Sequence, residues 1–155
     1  MDAKPLSTDV VSRPQGCSNF KLRALMRRVA QHFDAEMARC GLKTTQYSLL
    51  TCVDRLGPIQ PSVLASTMHL EPSTLTRNLR PLIDQGWVQL QAGQDARSRL
   101  VLLTDAGRDK RRDAQRHWRQ AQNRLNALLG EASVAALHVL LDDCLERLGP
   151  ADPPT

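Results

Sequence analysis

The sequence predicts a mainly α-helical fold carrying one small β-hairpin, and three observations predict it. Apolar residues make up 41% of the 155 residues but aromatics only 3%, so Leu, Val, Ala and Met must fill the core. That composition favours helices over packed sheets. Apolar side chains recur at spacings of three and four along most of the chain, which is the period of one helix face. The period breaks once, at Trp87, where two short apolar runs flank a polar turn.

Residues 1–16 are polar and contain proline, and read as a flexible arm; residues 150–155, PADPPT, read as a disordered tail. Leu22, Met26, Val29, Phe33 and Met37 share one face of a first helix, with Gly41 just past its end. A second helix is expected to start near Thr45, a good N-cap, and to bury Leu49, Leu50, Val53 and Leu56 before Gly57-Pro58 stops it. Pro61 opens a short helix carrying Val63, Leu64, Ala65 and Met68. After the turn His69-Leu70-Glu71, Pro72 opens the next, with Leu75, Leu79, Leu82 and Ile83 inside and Gly86 closing it.

Trp87-Val88-Gln89-Leu90 reads as a strand, residues 92–96 as a turn, and residues 99–103 as the returning strand. Thr104 then caps a long helix on which Ala114, Trp118, Ala121, Leu125 and Leu128 form a narrow seam. Val134, Leu137, Leu141, Cys144 and Leu148 repeat similarly on a last helix. Seams this narrow call for a partner helix. The predicted order is α-α-α-α-β-β-α-α.

The net charge is +5, unevenly spread. Residues 17–43 carry six Lys/Arg against two acids and residues 70–119 ten against six, whereas residues 120–155 carry two against five. A basic front and an acidic end suit a polyanion-binding face set apart from another function. No stretch approaches the ~20 apolar residues of a membrane span, and the N-terminus lacks a signal pattern, so a cytoplasmic protein without a membrane partner is expected. Cys17, Cys40, Cys52 and Cys144 show no CxxC pairing, which disfavours structural disulfides. His32, His69, His117 and His138 lie in different elements, and no HExxH, GxSxG or Gly-rich phosphate loop occurs. Neither enzyme chemistry nor a metal or cofactor is expected.

Two short helices joined by a tight turn make a helix-turn-helix. The outward face of its second helix carries Ser73, Thr74, Thr76, Arg77 and Arg80. Short hydroxyls let a helix enter the major groove, and arginine bridges the two acceptors of guanine. The hairpin that follows has Asp95, Arg97 and Arg99 around its tip. An arginine on such a wing suits the negative potential of a narrow minor groove, and Asp95 suits the fork of Arg97. The fold predicted is therefore a winged helix-turn-helix with an all-helical region around it.

Three stretches, GLKTTQYSLL, LASTMHLEPSTLTRNLRPLIDQGWV and DARSRLVLLTDAG, are similar to the MarR family of regulators, above all in the DxRxR…LTxxG wing after STLTR. The resemblance covers nearly all of residues 17–148. It implies an intertwined dimer whose helical region spans 17–43 and 105–149, with a DNA-binding domain at 44–104. Leu125, Leu137, Leu141 and Leu148 would lie in the dimer interface. It also implies that Ser73, Thr74, Thr76 and Arg77 read bases, that Arg97 enters the minor groove supported by Asp95, and that Thr45, Ser62, His69, Arg80 and Arg99 meet phosphates. The partners implied are a double-stranded operator with half-sites about one helical turn apart, a second copy, and a small-molecule effector.

Family members commonly repress transcription and release DNA when a small molecule, often an aromatic acid, binds between the dimer helices and the helix-turn-helix. By that resemblance Arg23 and Arg27 would meet a carboxylate, with Met26, His32 and Phe33 as the wall. Two alternatives stand beside this. Cys17, at the start of the first helix near Lys21, has the setting of a redox-active thiol. A branch of the family uses a cysteine in that region together with tyrosines, of which this chain has Tyr47 alone. A winged helix used for protein contact is the second alternative, and Arg97 and Arg99 count against it.

Overall fold

The computed structural model describes residues 15–93 and 98–149. Helix α1, Ser18–Met37, continues into a 3-10 turn, Ala38–Cys40, and reverses at Gly41, whose φ of +71° favours glycine. Helix α2 is Thr44–Leu56, so it begins one residue before the expected cap, and its N-cap is Lys43 rather than Thr45. Its first donors are met from afar: Asp34 Oδ1 on α1 accepts from the Thr44 amide at 2.8 Å and from Thr44 Oγ1 at 2.7 Å. Gln46 Oε1 accepts from the Lys43 amide at 2.8 Å. A carboxylate at a helix N-terminus also meets the positive end of the helix dipole.

Helices α3, Pro61–Thr67, and α4, Pro72–Asp84, each open on a proline whose missing N–H would have had no partner there. Gly86, with φ of +71°, closes α4 and turns the chain into the wing. Strands β1, Val88–Ala92, and β2, Arg99–Leu103, pair antiparallel, with Val88 opposite Leu103 and Ala92 opposite Arg99. Ile59, between α2 and α3, adds an unexpected one-residue antiparallel bridge to β2. Its amide donates to the Val101 carbonyl at 3.1 Å and its carbonyl accepts from Val101 at 2.8 Å. The wing is thereby tied to the helix-turn-helix. Thr104 caps α5, Asp105–Leu129, as expected, its Oγ1 accepting from the Gly107 amide at 3.0 Å. Helix α6 is Glu131–Leu148.

The core runs through Met37, Leu49, Leu50, Leu64, Leu75, Leu82, Val88 and Val101, all buried. Two expectations fail at its edge. Leu56, expected inside, is 46% exposed, and Val63 on α3 is 50% exposed, because α2 and α3 bury narrow stripes. The seam on α5 also divides. Ala114 and Ala121 are fully buried, and the Trp118 ring lies 6.3 Å from Phe33 and 6.2 Å from Tyr47. That part of the seam is covered by α1 and α2 of the same chain and is not free for a partner. The small alanines let α1 approach α5 closely, while Leu128 farther along is 68% exposed.

Helices α1 and α6 carry apolar side chains facing outward: Phe20, Leu22 and Met26 on one, Val139, Leu140, Leu145 and Leu148 on the other. Leu22 and Met26, on the apolar face that the spacing predicts, thus stand outside the core. Between α1, α5 and α6 lies an apolar cleft of about 470 Å³ that Met26, Phe33, Leu125, Leu137 and Leu141 help to line. Among the described residues no helix is long and apolar enough to cross a membrane, and no His, Cys, Asp and Glu cluster is placed to hold a metal ion.

Candidate nucleic-acid interface

Helix α4 presents its polar side to solvent because Leu75, Leu79 and Leu82 hold the opposite side in the core. Ser73, Thr76, Arg77 and Arg80 are exposed and together border a cleft of about 590 Å³ beside Leu90 of β1. Thr74 is half-buried. Neither Ser73 nor Thr74 caps the helix, whose N-cap is Glu71 without a side-chain bond. Thr76 Oγ1 donates to the Pro72 carbonyl at 2.9 Å, which fixes its rotamer. The Arg77 guanidinium has a long 3.4 Å contact to Thr74 Oγ1 and is otherwise open to an incoming acceptor. Arg80 differs, being paired with Asp84 at 3.1 Å.

The remaining expected contacts distribute around this helix. Thr45 on α2, Ser62 on α3, His69 in the turn and Arg99 on β2 are all exposed. His69 holds a φ of +52°, the left-handed conformation that the turn between α3 and α4 demands. Asp95 and Arg97 lie outside the described residues.

Away from that face, α1 and α5 are joined by polar contacts that sequence reasoning missed. Glu36, buried on α1, accepts from His117 Nδ1 at 3.1 Å, from Arg39 at 3.0 Å and from Arg124 at 2.6 Å. His117, then the nearby arginines, hold its carboxyl below the usual range against the opposing effect of burial. His32 Nε2 lies 2.8 Å from the Ala121 carbonyl, so this nitrogen carries a proton and donates. His117 and Arg124 stand two helical turns apart on one side of α5, a spacing visible in sequence, but their target on α1 is not.

Of the residues named for an effector, His32 and Phe33 meet edge to face, their ring centres 5.8 Å apart. Arg23 and Arg27 are exposed on α1, His32 is committed to the Ala121 carbonyl, and Met26 and Phe33 line the apolar cleft against α6. A separate cavity of about 580 Å³ opens between α2, α3 and α5. Tyr47 and Trp118 form its aromatic side, with Thr51, Cys52, Arg55 and Arg111 around it. Thr51 Oγ1 is buried there and has no hydrogen-bond partner among the described residues. Arg111 is held by Asp54 at 3.0 Å, whereas Arg55 is exposed. Burial pushes the Cys52 and Cys40 thiols up. Cys17 is the exposed N-cap of α1.

Residues 42–98 match the model of the MarR family. An uncharacterised HTH-type transcriptional regulator of Bacillus subtilis (strain 168), YwoH, is 33% identical over 84 residues, which are 54% of this chain and 61% of that protein. The chain thus matches about three fifths of that relative's length. The M. tuberculosis transcriptional regulator MosR, solved in complex with DNA, is 30% identical with a TM-score of 0.67, over 83% of this chain and 98% of that one. CouR, a transcriptional repressor bound to a 23-mer DNA duplex, is 25% identical with a TM-score of 0.77, over 83% of this chain and 92% of that one. These relatives are transcriptional regulators and not enzymes. With the helix-turn-helix, its wing and the long helices matched in both sequence and fold, the chain belongs to the MarR family.

Proposed function

We propose that this chain is a ligand-responsive transcriptional repressor of the cytoplasm. In this reading it grips a pseudo-palindromic DNA duplex as a homodimer and releases it when a small aromatic acid binds. The observation that carries the DNA-binding part is the exposed row Ser73, Thr76, Arg77 and Arg80 on α4, beside a wing tied in place by Ile59. Major-groove readers present this chemistry on the first turns of the recognition helix. Ser73, Thr74, Thr76 and Arg77 read bases; Arg97 with Asp95, and Arg99, serve the wing; Thr45, Ser62, His69 and Arg80 meet phosphates. The complexes of MosR and CouR with DNA support this reading.

A second copy covers the outward apolar side chains of α1 and α6, including Leu141 and Leu148, which a monomer would leave in water. Residues 17–43 and 105–149 then form the dimerisation region and 44–104 the DNA-binding domain. The effector occupies the cavity between α2, α3 and α5, where Tyr47 and Trp118 suit an aromatic ring, Arg55 a carboxylate and Thr51 a polar substituent. Its ligand releases DNA by preferring the conformer whose recognition helices are wrongly spaced.

Footprinting of the DNA upstream of the chain's own gene tests the reading. Protection of two related half-sites, lost on adding an aromatic acid such as salicylate, is the expected result. Uniform or absent protection contradicts it, and absence favours a winged helix used for protein contact.

A further inference from the structure

The end of the recognition helix is wound into Trp87. The Trp87 amide donates to the Leu82 carbonyl at 2.9 Å, and the Gly86 amide to that of Ile83 at 2.9 Å. Val88, the next residue, begins the wing. The Trp87 carbonyl accepts from the Thr104 amide at 3.1 Å, and the first turn of α5 lies directly against it at Gly107. Whatever displaces Trp87 therefore displaces α4 and the root of the wing together.

One side chain connects this point to α1. Lys110 Nζ stands 5.2 Å from the centre of the Trp87 ring and donates to the Cys40 carbonyl at 2.5 Å. Cys40 is the last residue of the 3-10 turn that ends α1, where carbonyls lack helical partners and the dipole favours a cation. A half-buried ammonium shared between an aromatic face and a carbonyl is stronger than either contact in water. Among the described residues, this lysine has no hydrogen bond or ion pair with the exposed row of α4.

We propose that Lys110 is a positioning residue that pins the end of α1 to Trp87 and so sets the distance between the two recognition helices of the dimer. The inference rests on the dimeric regulator reading. If α1 and α6 fix how two copies meet, the placement of α4 relative to α1 decides which half-site spacing both copies reach at once. Loosening that placement leaves each half-site's bases unchanged and relaxes the spacing.

The test selects duplexes from a randomised pool with the full-length wild type, Lys110→Met and Lys110→Arg, then measures affinity for the selected site and for versions one base pair longer and shorter. Wild type is expected to select paired half-sites at one dominant spacing. Lys110→Met keeps the half-site bases but loses about threefold or more of its discrimination between spacings, the scale of one such contact. Lys110→Arg, which keeps a cation, restores it. Trp87→Leu provides a second route should Lys110→Met fail to fold, with the same relaxation expected. An unchanged spacing ratio, even with affinity lowered uniformly and a reduced Tm, overturns the positioning role and leaves the regulator reading intact. A wild type that selects no paired sites overturns the regulator reading, and the role of Lys110 with it.

Discussion

A Cβ on Gly107 would lie 2.0 Å from the carbonyl oxygen of Trp87. No side chain fits between the first turn of α5 and the backbone that follows α4, so glycine here serves close approach. Its neighbour Thr104 closes the contact, donating from Oγ1 to the Gly86 carbonyl at 2.6 Å. Gly107→Ala must push two backbone segments apart, an overpacking that costs ~1–3 kcal/mol. Thermal unfolding should show a lowered Tm. An unchanged Tm would mean that the two segments are not in contact.

Arg77→Ala should weaken binding to the selected DNA by ~1–3 kcal/mol while leaving weak binding to unrelated DNA nearly unaltered. The guanidinium is exposed and nearly uncommitted, so its loss costs little stability. An affinity for the selected duplex left unchanged by the substitution would remove Arg77 from base reading.

Glu36 carries a carboxyl held below its ordinary value of 4.5, chiefly by His117. A depressed folded-state value means that its stabilisation is complete above the ordinary value and is lost as pH falls through the folded one. Glu36→Gln should therefore lower Tm at pH 7, with the gap to wild type closing once pH drops below about 4.5. A gap that stays constant down to pH 3 would contradict this.

Leu141→Glu places a charge on the apolar face of α6. Sedimentation should report monomers, and affinity for paired half-sites should fall about 100-fold or more as the linked second contact is lost. A stable dimer from this variant would overturn the interface.

Thr51→Val removes a buried hydroxyl that has no partner among the described residues. An unsatisfied buried polar group costs ~1–3 kcal/mol, so the variant should match or exceed wild type in Tm while responding less to an aromatic acid. A clear loss of Tm would show that the hydroxyl is satisfied.

What the sequence discloses here is what depends on near neighbours. Pro61, Pro72, Gly86 and Thr104 mark element ends by backbone chemistry that needs no tertiary partner, and each stands where expected. Features made by distant residues were hidden. The cap on α2 comes from Asp34 rather than Thr45, and the extra bridge to β2 of the wing comes from Ile59. On α5, the spacing of Ala114, Trp118 and Ala121 matches a seam for a partner equally well as it matches the packing of α1 and α2. Periodicity reports that a face is buried, not against what. The exposed polar row of α4 was legible because a solvent-facing stripe is the complement of the buried one. The cavity beside Tyr47 and Trp118 was not, since three separate elements supply its lining.

The most direct test is fluorescence anisotropy of the full-length protein with the duplex upstream of its own gene and with an unrelated duplex of equal length. Titrations at low and at near-physiological salt separate phosphate attraction from sequence reading. Both duplexes are expected to bind at low salt, and only the upstream duplex to bind tightly at the higher salt. Equal affinities at both salts, or no binding at either, would contradict this.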